Sequence, residues 1–388
     1  MKQFENIFRT IFAVFLVLLT GSSAAEADDT PTDSIEMGLI TCSPHNEIYS
    51  LYGHTAIRCH NLSTGADYIY NYGVFNFKAP HFVTRFVFGL TDYQLECIPA
   101  RYFWPYYYEW GSQVSEQVLN LTNDEKRRLL DALRENSKAE NKTYRYNYFF
   151  DNCSTRPRNI IEANLDGTVE YAPLDGEAPS FRHMIHERNS RHPWAAFGND
   201  ILLGIKADRK ATQREQQFLP DNLRRDFNRA MIVRDNQRVP LVKEERVIVP
   251  GRVQVVEEEF PLSPMQCAMF LLAVSLAVFI YEHCRHSTLR YFDALLMLAT
   301  GLAGIVLFVM IFSQHPTTSI NLQILVLNPL SLLFIPTVVR RRKTRWFTVS
   351  MACVVLFFIG AFWQDYAEGM EILALCLLLR YWRHIHDK

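Results

Sequence analysis

Cys153 stands where a strand-like run, residues 144–150, gives way to a helical pattern that continues through Ile160, Ile161 and Ala163. A thiol at such a junction feels the positive end of the helix dipole, and Arg156 and Arg158 add positive charge nearby. Both influences favour thiolate and pull the thiol below its usual pKa of ~8.5. Backbone N–H groups at the turn are placed to stabilise an oxyanion. A cysteine nucleophile needs a base within hydrogen-bonding reach, and histidine is the usual one. His54 opens a strand after Gly53 and fits that need. Asn71, on the next strand, carries an amide able to orient an imidazole; Asp67 and His60 compete for the same role. Around the thiol, Asn152, Arg156 and Arg158 are expected to hold substrate. The plainer alternative is an inert buried cysteine, arginines turned to solvent and a structural histidine. Residue types alone leave both readings open.

The elements that must position these groups follow from periodicity. Residues 54–59 and 67–72 alternate apolar and polar, and Asn61 to Gly65 offers turn chemistry between them, so a hairpin is expected. A further strand at 113–119 leads into a helix with Thr122 as cap, Glu125 three residues on, and Leu129, Leu130 and Leu133 on one face. Aromatics crowd residues 103–110, which suits either a belt at lipid headgroups or an ordinary core. Beyond, residues 182–191 read as a helix, 213–231 as one charged helix, and 237–259 as an exposed hairpin just outside a membrane.

The chain changes solvent near residue 260. Charged and polar residues are dense before it, and long apolar runs dominate after it. At the other end, Lys2 and Arg9 precede a short apolar run at 11–19 and then small residues, the pattern of an export signal cut after Ala25 or Ala27. The expected organisation is a signal peptide at 1–27, a Cys–His catalytic domain at 34–210, a connecting helix and hairpin at 211–262, and a bundle of about five helices at 264–384. Arginine-rich segments at 285–290, 340–345 and 380–388 flank the spans on one side, while the loops at 314–319 and 364–369 carry no Lys or Arg. Basic loops face the cytoplasm, which places the catalytic domain outside, in agreement with the signal. Within this part Asp293, His315, Asn321 and Asn328 invite functional readings, because polar groups in lipid are costly. The formal net charge of −1 gives no reason to expect nucleic acid. Metal chemistry is not expected: there is no Cys-x-x-Cys or His-Glu-x-x-His spacing. A Cys59–Cys97 bridge is the pairing to look for in an oxidising compartment.

Taken in order, Gly53-His54-Thr55, Asn71-Tyr72-Gly73, Gln117-Val118-Leu119-Asn120-Leu121 and Tyr146-Asn147-Tyr148-Phe149-Phe150-Asp151-Asn152-Cys153-Ser154-Thr155-Arg156 resemble the Lnb N-terminal periplasmic domain family. The resemblance covers residues 35–205, with 197–208 similar to its downstream segment. It implies an α+β fold, a permuted papain-like (NlpC-like) periplasmic domain followed by an all-α transmembrane bundle, in which the histidine strand precedes the cysteine helix. Members with this architecture resemble lipoprotein N-acyltransferases, which add the third acyl chain to bacterial lipoproteins. The expected partners are then a phospholipid acyl donor and a diacylated lipoprotein acceptor. Cys153 would carry a thioester, His54 and Asn71 would assist it, and no cofactor would be needed. The implied location is the bacterial inner membrane, multi-pass, with the catalytic domain in the periplasm. Two other readings stay open: a cell-wall peptidase or amidase of the NlpC type, and a non-catalytic envelope assembly protein.

Overall fold

The computed structural model describes residues 34–45, 47, 50–76, 79–253, 260–342 and 344–386, so the signal expected at 1–27 lies outside the described residues. Ten strands are described: β1 (Ile35–Cys42), β2 (His54–Asn61), β3 (Asp67–Val74), β4 (Asp92–Pro99), β5 (Val114–Leu119), β6 (Thr143–Arg145), β7 (Thr168–Glu170), β8 (Met231–Arg234), β9 (Gln237–Pro240) and β10 (Val242–Val249). Seven of them form one sheet in the order β10-β5-β1-β2-β3-β4-β6, every pair antiparallel. The remaining three make a small sheet, β7-β8-β9.

Strand side chains alternate between faces, and here both faces are covered. Ile35, Met37 and Leu39 of β1 join Ile57, Tyr70 and Tyr72 in one cluster, packed against Leu129, Leu130, Leu133, Ile161, Leu223 and Phe227. Ile40, Cys42, Ala56 and Ile69 point the other way, onto Phe103 and Tyr107. The helices involved are α2 (Ala100–Trp110), α3 (Asn123–Asn136), α4 (Thr155–Ala163) and α8 (Pro220–Asn228); α1 (Phe82–Val87), α5 (Phe181–Asn189), α6 (Pro193–Leu202) and the short α7 (Gln213–Gln216) complete the domain. As the Thr122–Glu125 spacing predicts, a reciprocal capping box opens α3. Helix α2 divides its aromatics: Phe103 and Tyr107 are buried, whereas Tyr102, Tyr106, Tyr108 and Trp110 remain exposed.

Three expectations are corrected. The described part of the hairpin expected at 237–259, residues 237–253, is not detached from the domain. β8 and β9 pair through a turn with Asp235 and Asn236 at positive φ, but β10 crosses to β5 and closes that side of the main sheet. Arg246 on β10 pairs with Glu36 on β1, so charge as well as backbone pairing holds the strand. The single helix expected at 213–231 is two, α7 and α8, because Pro220 begins the second and proline disfavours helical backbone in the residue before it. The Cys59–Cys97 bridge is absent, and both thiols are free. They lie on β2 and β4 with β3 between them, which separates their backbones by roughly 9–10 Å, beyond disulfide reach.

The C-terminal part is helical: α9 (Pro264–Arg285), α10 (Arg290–Ile311), α11 (Ser331–Val339), α12 (Trp346–Gly360) and α13 (Met370–His386). By length and composition, α9 and α10 suffice to cross a membrane. The third apolar run is broken, a 3-10 turn at Leu322–Leu325 preceding Pro329 and the nine-residue α11. That break docks the helices on the N-terminal domain. Gly204 N–H donates to Thr317 O at 2.8 Å, and Ile205 N–H to Ile320 O at 2.8 Å. A Cβ on Gly204 would stand 2.0 Å from Ile320 O, so only glycine permits this approach. Asn321, Gln323 and Gln364, all buried, donate to backbone carbonyls between Asp200 and Leu203.

Candidate active site

β2 and β3 pair with Ile57 opposite Tyr70 and His60 opposite Asp67. Carried three residues beyond Ile57, this register sets Gly73 across from His54 and Asn71 on the adjoining diagonal of the same face. The side chains meet accordingly: His54 Nε2–H donates to Asn71 Oδ1 at 2.5 Å. The competing candidates are elsewhere. Asp67 holds Arg58 in a two-pronged pair, 2.8 Å for each hydrogen bond. His60 is six residues along the strand, roughly 20 Å from His54.

Cys153 arrives at the same place from the N-terminal end of α4. His54 hydrogen-bonds the thiol as well as Asn71. Asn71 engages Nε2, which leaves Nδ1 available to the thiol. Gly73 makes room for this meeting. Its φ is +95°, and a Cβ there would lie 3.2 Å from Cys153 Cβ and 3.8 Å from His54 Cε1. All three polar residues are partly exposed, so the group is reachable from outside.

Burial is the largest single influence on Cys153 and opposes its ionisation. The facing His54 charge, its hydrogen bond, the Thr55 backbone and Ser154 outweigh it and bring the thiol below its ordinary value. For His54, burial again opposes charge, and Cys153 and Asn71 together raise the imidazole above its usual value. The pair therefore favours thiolate–imidazolium. Cys42, opposite His54 in the β1–β2 register, is the contrasting case: fully buried, its thiol is pushed far above the ordinary range.

Asn152 builds the turn. Its Oδ1 accepts from Ser154 N–H and Thr155 N–H, each at 2.9 Å. Its Nδ2 donates to Tyr148 O at 2.9 Å and Phe218 O at 2.8 Å. A side chain so fully engaged has nothing left for substrate, which corrects the binding role expected of it. Two of the helix N–H groups are also consumed. The Cys153 N–H has no partner among the described residues and stays free at the turn. Arg158 is buried too, donating to Arg214 O at 2.8 Å and Gln217 Oε1 at 3.2 Å, and is likewise no substrate ligand. Arg156 is clamped on Asp151 through Nε at 2.6 Å and a second bond at 2.8 Å, with its guanidinium 3.5 Å from the Tyr144 ring centre. Its expected binding role would require that clamp to open. Residue types singled out neither Gly73 nor the Asn152 scaffold role; for Gly73 the available signal was its place opposite His54.

The membrane-side polar residues divide. His315 donates from Nε2 to Phe86 O at 3.1 Å, in a loop resting on α1. Asn321 belongs to the docking cluster. Asn328 Oδ1 accepts from Leu330 N–H just ahead of α11. Asp293 is buried and pairs with Arg380 and His384.

Two cavities flank the site in the strand order. One, of about 560 Å³, lies beside the ends of β1 and β2 and includes Pro44, His45 and Leu51 in its wall. The other, about 490 Å³, follows Gly73 along β3 and β4, with Val74, Phe75 and Phe82 against Arg85, Asp92 and Glu96.

Residues 23–185 match the family model described as the Lnb N-terminal periplasmic domain, and residues 256–388 match the model described as the Lnb transmembrane domain. No curated protein and no solved structure matches the chain.

Proposed function

The chain belongs to the Lnb family, a membrane protein with a periplasmic domain, and from that premise we propose that it is a cysteine-dependent lipoprotein N-acyltransferase. The observation that carries the reading is the Cys153–His54–Asn71 arrangement, a thiol poised as thiolate at a reachable edge of the domain.

In this reading Cys153 Sγ attacks an ester carbonyl of a phospholipid. The oxyanion takes the Cys153 N–H, and as the C–O ester bond breaks, the imidazolium of His54 passes its proton to the departing lysophospholipid oxygen. The acyl group is then a thioester on Cys153. Next, the α-amine of a diacylglyceryl-cysteine attacks the thioester carbonyl. His54 accepts the amine proton, the C–S bond breaks, and the thiolate returns with an amide as product. An α-amine has a pKa of ~7.7–8.0, so a useful fraction is neutral and nucleophilic near pH 7. Splitting one transfer into two steps is the general advantage of covalent catalysis. Asn71 acts on the reaction through His54, fixing which ring nitrogen faces the sulfur.

The helices serve the same purpose. Both substrates are anchored in one leaflet, and tethering the thiol at that surface raises its effective concentration toward them. The basic loops set a multi-pass topology in the inner membrane with the site on the periplasmic side.

Purified protein exposed to phospholipid vesicles should gain the mass of an acyl chain on Cys153, released by hydroxylamine and absent in Cys153→Ala. Cleavage of cell-wall peptides without any acyl adduct would replace this reading with a peptidase.

A further inference from the structure

The cavity beside the β1 and β2 ends collects positive charge from segments far apart in sequence. Its wall includes Arg188, Arg191 and Arg252, with Glu187 as the acidic exception. Arg188 bonds Asp221 through one guanidinium nitrogen at 2.5 Å, yet its Nε is buried with no hydrogen-bond partner. Arg191 is exposed and forms no ion pair among the described residues. Arg252 is also exposed, its guanidinium 4.0 Å from the Tyr108 ring centre. His45, stacked on Trp110 at 4.2 Å, is held down to about 4 by burial and contributes a neutral wall. What is missing is an acceptor for several N–H groups at once, the chemistry of a phosphate.

The position of this cavity selects among phosphates. Trp194 Nε1–H donates to Leu262 O at 2.9 Å, one residue before the Ser263 cap of α9. The arginines at 188 and 191 immediately precede α6, so they lie near the start of the first apolar helix. Exposed Tyr108 and Trp110 line the same edge, as aromatic rings do at headgroup depth. Leu51 in the cavity wall is three residues from His54, a separation of at most about 11 Å. A phosphate bound there leaves the ester groups of the same lipid within reach of the thiol.

We propose that Arg188, Arg191 and Arg252 bind the phosphodiester of a glycerophospholipid and present its acyl ester to Cys153. The site deepens the acyltransferase reading and rests on it for the identity of the lipid as donor. Its test is therefore made without chemistry.

Full-length Cys153→Ala protein is purified in detergent, mixed with phosphatidylglycerol or with diacylglycerol, and scored for retained lipid by native mass spectrometry. Adding Arg191→Gln with Arg252→Gln should lower phosphatidylglycerol retention about tenfold, the effect of losing charge-assisted hydrogen bonds, and leave diacylglycerol unchanged. Glu187→Gln should act in the opposite direction and raise phosphatidylglycerol retention, a change that misfolding would not produce. Equal retention in all variants overturns the proposal. So does binding of inorganic phosphate to the arginine-intact protein with no effect of the variants on lipid, which would mark a site for a free anion. Failure of acyl transfer itself would leave this binding readout untouched.

Discussion

Two of the polar clusters in this molecule are finished differently. At one end of the helical part, Arg380 bonds Glu282 at 2.8 and 2.7 Å and Asp293 at 2.7 and 3.1 Å, while His384 bonds Asp293 at 2.7 Å. Arg380, Glu282 and Asp293 are each no more than 2% exposed. Opposite charges there satisfy one another, and the cluster ties together α9, α10 and α13. The Cys153–His54–Asn71 group is open: it is partly exposed, and its sulfur keeps a face for a reacting carbon. Closure stabilises, and an incomplete cluster keeps the capacity to react. Charge buried in a protein is evidence of function only when some member of the cluster is left with work to do.

The comparison can be broken in several places. Cys153→Ala should lower acyl transfer by at least about 10⁴-fold with little change in thermal unfolding. If purified Cys153→Ala still forms triacylated lipoprotein, the open cluster is not the reactive one. Arg380→Met leaves two buried carboxylates facing each other. Removing one member of such a pair costs about 3–5 kcal/mol, which a detergent unfolding titration would read, while turnover per folded molecule stays unchanged. Asn71→Ala frees the His54 ring and should reduce the rate about 10²-fold, the usual consequence of small misplacement; Asn71→Asp should recover part of it, an effect that a purely structural asparagine would not show.

The smallest effect is the most diagnostic. Cys153 is held below, and His54 above, its ordinary value. The ion pair therefore persists between the lowered thiol pKa and the raised imidazole pKa. Alkylation of Cys153 by iodoacetamide should stay fast below the ordinary thiol range and fall only as pH drops through the lowered value. Acyl transfer should also decline as pH rises through the raised His54 value, since the leaving oxygen then finds no proton. A single alkylation step near pH 8.5 would show an ordinary thiol.

Much of this was legible in the linear chain. The Lnb family was recognisable from ordered motifs around His54, Asn71 and Cys153, and two family models match. The hairpin of β2 and β3 followed from alternation, and the α3 start from Thr122 and Glu125. Less legible were residues whose role depends on distant partners. Asn152, Arg156 and Arg158 look alike beside a thiol, yet the fold assigns one to the turn, clamps one on Asp151 and buries one against Gln217. β10 reads as a solvated hairpin because its charges meet Glu36 and Glu116 only after folding.

Residue order by itself determined the apolar runs, the periodicities and the types of the reactive groups, because those depend on neighbours within a few positions. Tertiary structure alone decided that Asn71 rather than Asp67 reaches His54, that Gly73 leaves space for the thiol, and that arginines from 188 to 252 converge on one cavity. Each of these is a contact between segments distant along the chain, and strand register and backbone approach settle it only when the sheet has closed.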